Sequence, residues 1–178
     1  YMPNQYWLHK NHRVVIEALN RISKKSRENI IIYSSGSNQD YRNPQNFQNI
    51  IKLVSKYKLQ KNYVYLGLIP FLDVMSLIYY SLAVINPSYF EGWSSSVEQA
   101  KAYNKKIILS QIDVHKEQNP KYAYYFRPDD SKMCSKILMK LNKNFNNKIQ
   151  IFQKHNYKQK KSIDLYTKKY CKIILKHE

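Results

Sequence analysis

Between Asn86 and Lys101 the chain runs NPSYFEGWSSSVEQAK, a stretch whose residue types suit a charged, hydroxyl-rich ligand. Pro87 ends an apolar run, Glu91-Gly92-Trp93 makes a tight loop, and Ser94, Ser95 and Ser96 open a helical pattern that continues through Val97. The first turn of a helix presents N–H groups with no intrahelical acceptor and about half a positive charge, which favours anions. Serines add hydroxyl donors with little bulk. A carboxylate at the loop tip, Glu91, accepts hydrogen bonds from hydroxyls of a ligand whose phosphate lies on the amides. Three successive serines equally make a plain helix cap, and on these residues alone both readings stand. Lys10 lies close to another helix start, where a cation is mildly unfavourable unless an anion joins it. A solvated lysine is the bland alternative.

Other constellations carry less chemistry. His9 and His12 have a metal-binding spacing on a helix, but no third ligand accompanies them, and no metal is expected. Asp113, His115 and Glu117 alternate in what reads as a loop; no Gly-x-Ser-x-Gly elbow supplies a nucleophile, so they are taken as structural. Tyr33, Tyr63 and Tyr65 read as packing residues.

The elements that must position these groups alternate in period. Val15, Ala18, Leu19 and Ile22 stripe a helix over about 11–25, and Asn29 to Ser34 is a continuous apolar run suited to a strand buried on both faces. Phe47, Ile50, Ile51 and Val54 mark a second helix, 63–66 a strand, and Val74, Leu77 and Ile78 a short helix. Strands follow at 82–85, 106–109 and 123–126, with a helix from Ser94 to Tyr103 between the first two. Met133, Ile137 and Leu141 stripe a last helix capped by Asp129, Asp130 or Ser131. Connections too long for hairpins imply a doubly wound parallel α/β sheet with helices on both faces. Residues 1–141 form this Rossmann-like domain, and 142–178 form a polar linker (Asn142 to Asn147) and a basic amphipathic C-terminal tail helix. In such sheets ligands bind at the carboxyl ends of the strands, where the strand order reverses. The three glycines, Gly36, Gly67 and Gly92, all follow predicted strands at that end, either as ligand-approach positions or as ordinary turns.

Composition sets the outer bounds. The 178 residues carry 30 Lys+Arg against 12 Asp+Glu, a net charge of +18. Yet Lys, Asn, Ile and Tyr make up 78 residues and only 5 of the basic residues are Arg, so a skewed codon usage explains much of the charge. Arg, the usual reader of phosphates and base edges, is scarce, and nucleic acid is not expected as a partner. Cys134 and Cys171 are too few for a disulfide framework, which points to a reducing, cytoplasmic setting. No apolar run reaches the roughly 18 residues of a membrane span.

The segment from Tyr63 to Lys106, with its strand, Leu-Gly, helix, Asn-Pro-Ser and Phe-Glu-Gly, resembles the C-terminal nucleotide-sugar-binding domain of the family 4 (group 1) glycosyltransferases of GT-B fold. The opening Pro3-Asn4-Gln5-Tyr6-Trp7 and His9-Lys10-Asn11-His12 resembles a variant of that family's first strand-to-helix loop. Ser110 to Gln118 and Tyr125 to Asp129 are similar to its last sheet loops, so the resemblance covers about 3–141. It implies the donor-binding half of a retaining glycosyltransferase, a hexosyltransferase moving sugar from a nucleoside diphosphate to a saccharide or glycolipid acceptor. The resemblance implies no cofactor and no essential metal.

By that resemblance Lys10 and Glu91 are the catalytic pair, one on the diphosphate and one on sugar hydroxyls. The nucleotide-sugar would meet Gly36, Ile69, Gly92, Trp93, Ser94, Ser95, Ser96, Val97 and Gln99. Two positions depart from the family pattern. Gln99 stands where a second glutamate, separated from the first by seven intervening residues, normally binds ribose, and Gln5 stands where an Arg normally precedes the Lys. Glu98 is one residue early and points about 100° round the helix.

A GT-B enzyme closes two domains over a cleft, so an N-terminal domain outside this chain is expected as partner, and the fragment alone is expected to be inactive. The tail from Ser162 to Lys176, with Ile163, Tyr166, Tyr170 and Ile173 on one side, is expected to pack on that domain. The role implied is polysaccharide or glycolipid assembly, with peripheral association at the inner face of the membrane. Two alternatives remain open at this stage: a non-catalytic sugar-nucleotide-binding module of the same fold, and a basic module for RNA or a membrane surface.

Overall fold

The computed structural model describes residues 1–146, with side chains to residue 143. The chain divides into two units, Tyr1–Asn142 and Lys143–Glu178. The expected tail helix and Cys171 lie outside the described residues.

Among the described residues six strands, all parallel to their neighbours, form two three-stranded sheets. The first contains β1 (Met2–Pro3), β2 (Ile32–Ser35) and β3 (Tyr63–Tyr65); the second contains β4 (Ala83–Asn86), β5 (Lys106–Ser110) and β6 (Ala123–Phe126). Tyr1 joins them edge to edge: its main-chain N donates to Ala83 O (2.8 Å) and its O accepts from Ile85 N (2.8 Å). The continuous order is therefore β3-β2-β1-β4-β5-β6, and the winding reverses between β1 and β4. That is where a doubly wound sheet opens a crevice for ligands.

Alternation along the central strands explains the layers. Ile85 and Ile108 face one core with Val15, Leu19, Ile50, Val54, Ile137 and Leu141, which come from α1 (His12–Arg21), α3 (Asn46–Lys56) and α7 (Ser131–Asn146). Val84, Ile107 and Leu109 face the other with Ile78, Val97 and Ala100 from α4 (Phe71–Tyr80) and α5 (Ser95–Ala102). A strand buried on both faces is apolar through its middle, as 83–85 and 107–109 are, and the buried polar Asn86 and Ser110 stand at the carboxyl ends.

Several local expectations change. The first helix stops at Arg21 and a separate turn, α2 (Lys24–Arg27), follows a cap in which Ser23 Oγ accepts from Ser26 N (3.3 Å). Residues 113–118 form α6 (Asp113–Gln118) rather than a loop. The expected linker from Asn142 begins as helix, because α7 runs on to Asn146 with no Pro or Gly to stop it. Asp130 is the residue that caps α7, its Oδ1 accepting from Met133 N (2.8 Å). Tyr63 packs in the core, but Tyr33 is 40% exposed, because it takes the outward pleat of β2. Among the described residues no helix is long and apolar enough to cross a membrane.

His12 opens α1 in the interior, stacked on Tyr6 with ring centroids 4.0 Å apart. Burial lowers its pKa from 6.5 to about 3, opposed by the Asn4 carbonyl and assisted by the charge of Lys10. Between those values the unfolded chain binds a proton that the fold excludes, so stability falls as pH falls. From about pH 7 to pH 5 the loss is about 2 kcal/mol. Urea midpoints at the two pH values measure it, and His12→Gln should flatten the difference; an equally steep dependence in the variant would assign it elsewhere.

Candidate functional site

The crevice between β1 and β4 is built from loops pinned on both sides. After β1, Tyr6 N donates to Ser37 O (2.8 Å), and Leu8 N to Asp40 Oδ2 (3.1 Å). A 3₁₀ turn, Leu8–Lys10, ends at Asn11, which takes the left-handed conformation (φ 52). Asn11 Nδ2 then donates to Pro87 O (3.0 Å) and Pro128 O (2.8 Å), tying the turn to the ends of β4 and β6. Lys10 is held between these ties.

On the other side β4 ends at Asn86, which is fully buried. Its Nδ2 lies 2.7 Å from Ser94 Oγ and 3.2 Å from Glu91 Oε1, and its Oδ1 accepts from Ser88 Oγ (2.7 Å) and Ser88 N (3.3 Å). Ser88 Oγ also stands 2.6 Å from Glu91 Oε1. A second layer holds Ser88: Ser110 Oγ donates to Ser88 O (2.5 Å), and His115 Nδ1 lies 2.9 Å from Ser110 O. His115 meets neither Asp113 nor Glu117, and its role is to anchor the β5 end.

Lys10 Nζ donates to both oxygens of Glu91, at 2.8 Å each, with side chains only 14% and 6% exposed. Burial raises the Glu91 pKa, but hydrogen bonds from Lys10, Ser88 and Asn86 and the charge of Lys10 outweigh it and hold the carboxyl below its usual range. Glu91 is ionised at neutral pH. Both residues line a cavity of about 180 Å³ together with Asn4, Gln5, Trp7, Trp93, Ser94, Ser95 and Ser96. The two tryptophans of the chain thus share one small polar cavity.

The remaining sequence-nominated residues do different things. Ser94 and Ser96 are buried and bonded to each other (3.1 Å) and to Asn86, so they brace the loop. Ser95 and Trp93 are exposed on the open side. The N–H of Val97 is taken by Ser94 O (3.2 Å) and its side chain lies in the core. The amides of Ser95 and Ser96 have no acceptor among the described residues and leave the N-terminus of α5 open to an anion. Gly36, Ile69, Gly92 and Gln99 do not line the cavity. Gly36 (φ 140) instead lets β2 approach β1: a Cβ there would lie 2.7 Å from Asn4 O. Glu98 turns toward α6, its Oε1 accepting from Gln118 Nε2 (2.9 Å) and Lys101 Nζ (3.1 Å), and so does not replace the missing second glutamate. Asn4, Trp7, Asn86 and Ser88 were not singled out as site residues; the Asn-Pro-Ser run at a strand end was the only signal for the last two. Among the described residues no three His, Cys, Asp or Glu side chains come together as metal ligands would.

The site therefore offers one cation, one carboxylate and a helix N-terminus within one crevice. That combination fits an anion covalently joined to a polyol.

The sequence model of the family described as Glycosyl transferases group 1 matches residues 2–162. No curated protein matches the chain. Among solved structures, Anabaena Alr3699/HepE in complex with UDP has a TM-score of 0.68 at 15% identity, covering 86% of this chain and 39% of its own. A glycosyltransferase from Rickettsia africae has a TM-score of 0.67 at 20% identity, covering 94% and 46%. The catalytic domain of cholesterol-alpha-glucosyltransferase from Helicobacter pylori has a TM-score of 0.58 at 16% identity, covering 92% and 96%. The chain spans less than half the length of the first two, and these likenesses establish the fold.

Proposed function

The chain belongs to the group 1 glycosyl transferases, and from that membership we propose that the crevice between β1 and β4 is the donor site of a retaining hexosyltransferase. The observation that carries this reading is the direct Lys10–Glu91 contact beside the open N-terminus of α5. The donor is a nucleoside diphosphate sugar, its pyrophosphate on Lys10 and the amides of Ser95 and Ser96, its sugar hydroxyls on Glu91. UDP in the Anabaena structure supports a nucleotide here. Acceptor recognition, for a saccharide or a lipid-linked sugar, falls to a second GT-B domain, and transfer needs no metal.

The Lys10–Glu91 contact explains how such a donor is selected. Lys10 and Glu91 neutralise one another, and a diphosphate must draw Lys10 away from the carboxylate. A bare nucleotide leaves Glu91 buried with fewer donors. A sugar-nucleotide brings hydroxyls that replace the lysine at the carboxylate, so both charges stay satisfied. As leaving-group charge grows on the diphosphate, Lys10 and the helix amides stabilise it in place.

Titration calorimetry of the chain with UDP, GDP and ADP, and with their glucose conjugates, in the presence of chelator tests the reading. Binding without metal is expected, and Glu91→Ala should weaken the sugar-nucleotide by about tenfold or more while leaving the bare nucleotide unchanged or tighter. No binding of any of them at millimolar concentration would overturn the assignment.

A further inference from the structure

Across the Leu8–Lys10 turn from the donor cavity lies a second, larger cavity of about 730 Å³, between the first turns of α1 and α3. Its size falls in the range of small-molecule sites, about 300–1,000 Å³. Leu8, Ile50 and Leu53 give it apolar walls.

Its polar groups divide into those already used and those free. Asp40 is occupied by Leu8 N (3.1 Å) and Arg42 N (3.1 Å), and Asn46 Nδ2 by Tyr6 O (2.7 Å). The side-chain amides of Asn43 and Asn49 line the cavity and have no hydrogen-bond partner among the described residues. The charges nearby cancel: Arg42 pairs with Asp40 (3.4 Å) and Arg13 with Glu17 (2.7 Å). Nothing in that balance selects an ion. His12, also in the lining, faces Asn4 O through Nε2 (3.3 Å), and its buried Nδ1 has no partner among the described residues. A neutral imidazole that donates from Nε2 keeps only a lone pair at Nδ1 and adds no positive charge to the groove. A primary amide offers a donor and an acceptor together, and the hydroxyl group is the partner that uses both. At the edge of the cavity the ring of Tyr89 is 54% exposed, a flat face suited to the C–H side of a sugar ring.

We propose that this groove binds a neutral saccharide at a site separate from the donor crevice, with Asn43 and Asn49 reading hydroxyls and Tyr89 stacking on a ring. The site does not depend on nucleotide binding. It places a glycan one turn of backbone away from the Lys10–Glu91 pair, since Leu8 and His9 line the groove while Lys10 lines the crevice.

Saturation-transfer NMR on the 178-residue chain, with a pool of neutral gluco-, manno- and galacto-oligosaccharides, tests the proposal. Transfer to at least one saccharide is expected, undiminished by saturating UDP. The combined Asn43→Ala/Asn49→Ala change should weaken it by about tenfold, with circular dichroism confirming the fold. Should that variant not fold, Tyr89→Ala at an exposed position gives the same readout. The proposal fails if no saccharide in the pool receives saturation, or if UDP displaces the signal, which would put the sugar in the donor crevice. It also fails if the folded variants bind unchanged, or if inorganic phosphate competes for the groove. Failure of nucleotide binding, by contrast, would leave this site untouched.

Discussion

Lys10→Met is expected to lower the free energy of unfolding by about 3 kcal/mol, the low end for breaking a buried ion pair. Adding Glu91→Gln should restore most of that loss. In the single variant Glu91 keeps Ser88 and Asn86 at Oε1 but loses both bonds from Lys10, leaving a 6% exposed carboxylate without a counter-charge. The double variant is neutral and still offers an acceptor to Ser88. Urea unfolding of parent, single and double variants measures the coupling; a double variant as unstable as the single would place the damage in lost packing. Because the Glu91 pKa is held below its ordinary 4.5, the stability it contributes is present above that value and disappears as pH falls through the lower, folded one. The penalty of Lys10→Met should shrink in acid accordingly. Both variants should lose nucleotide binding, because each removes the cation.

Gly36→Ala should cost more than about 3 kcal/mol, since a disfavoured φ and a backbone clash add. The added carbon would sit 2.7 Å from Asn4 O, 2.8 Å from Asn4 C and 2.8 Å from Gln5 N, all main-chain atoms with nowhere flexible to go. Gly36 N also donates to Gly67 O (2.9 Å), and Tyr65 Oη donates to Gly36 O (2.9 Å), so the glycine cannot retreat without breaking β2 from β3. Since Asn4 and Gln5 line the cavity of Lys10 and Glu91, loss of stability and, on the proposed function, loss of nucleotide binding should appear together. Gly92→Ala is the control: a Cβ there meets nothing within 4 Å. Thermal unfolding of the two variants side by side decides whether close approach is what Gly36 supplies.

The fold was legible where burial leaves a period. The apolar runs at β4 and β5 and the stripes of α1 and α3 follow directly from which faces must be covered. The two-residue β1 left no pattern, because Met2–Pro3 is too short to alternate. The helix α6 was hidden because its buried positions are His115 and Gln118, polar residues that bond to Ser110, Ser94 and Glu98 only once the fold is assembled, while Asp113 is fully exposed. Of the site, Lys10 and Glu91 were nominated through family resemblance; no periodicity relates residues 81 apart. The polar scaffold of Asn86, Ser88 and Ser110 escaped notice because burial turns ordinary loop residues into structural ones only once the sheet is assembled. Gly36 was read as either a ligand-approach position or an ordinary turn, and in the structure the main chain of Asn4 and Gln5 lies against it.

The backbone ladder between the two sheets consists of the two main-chain bonds of Tyr1, with Asn4 Nδ2 adding a side-chain bond to Asn86 Oδ1 (3.5 Å). Each half has its own three strands, and the core that holds Ile32 and Ile50 together with Ile85 and Ile137 crosses the line between them. The donor crevice straddles that line, with Asn4 and Lys10 from one half and Asn86 and Glu91 from the other. A bound molecule there would tie the two three-stranded sheets together across the line where they meet. Its free energy of association reappears as slowed amide exchange at Ile85, far more than at the outer edges β3 and β6.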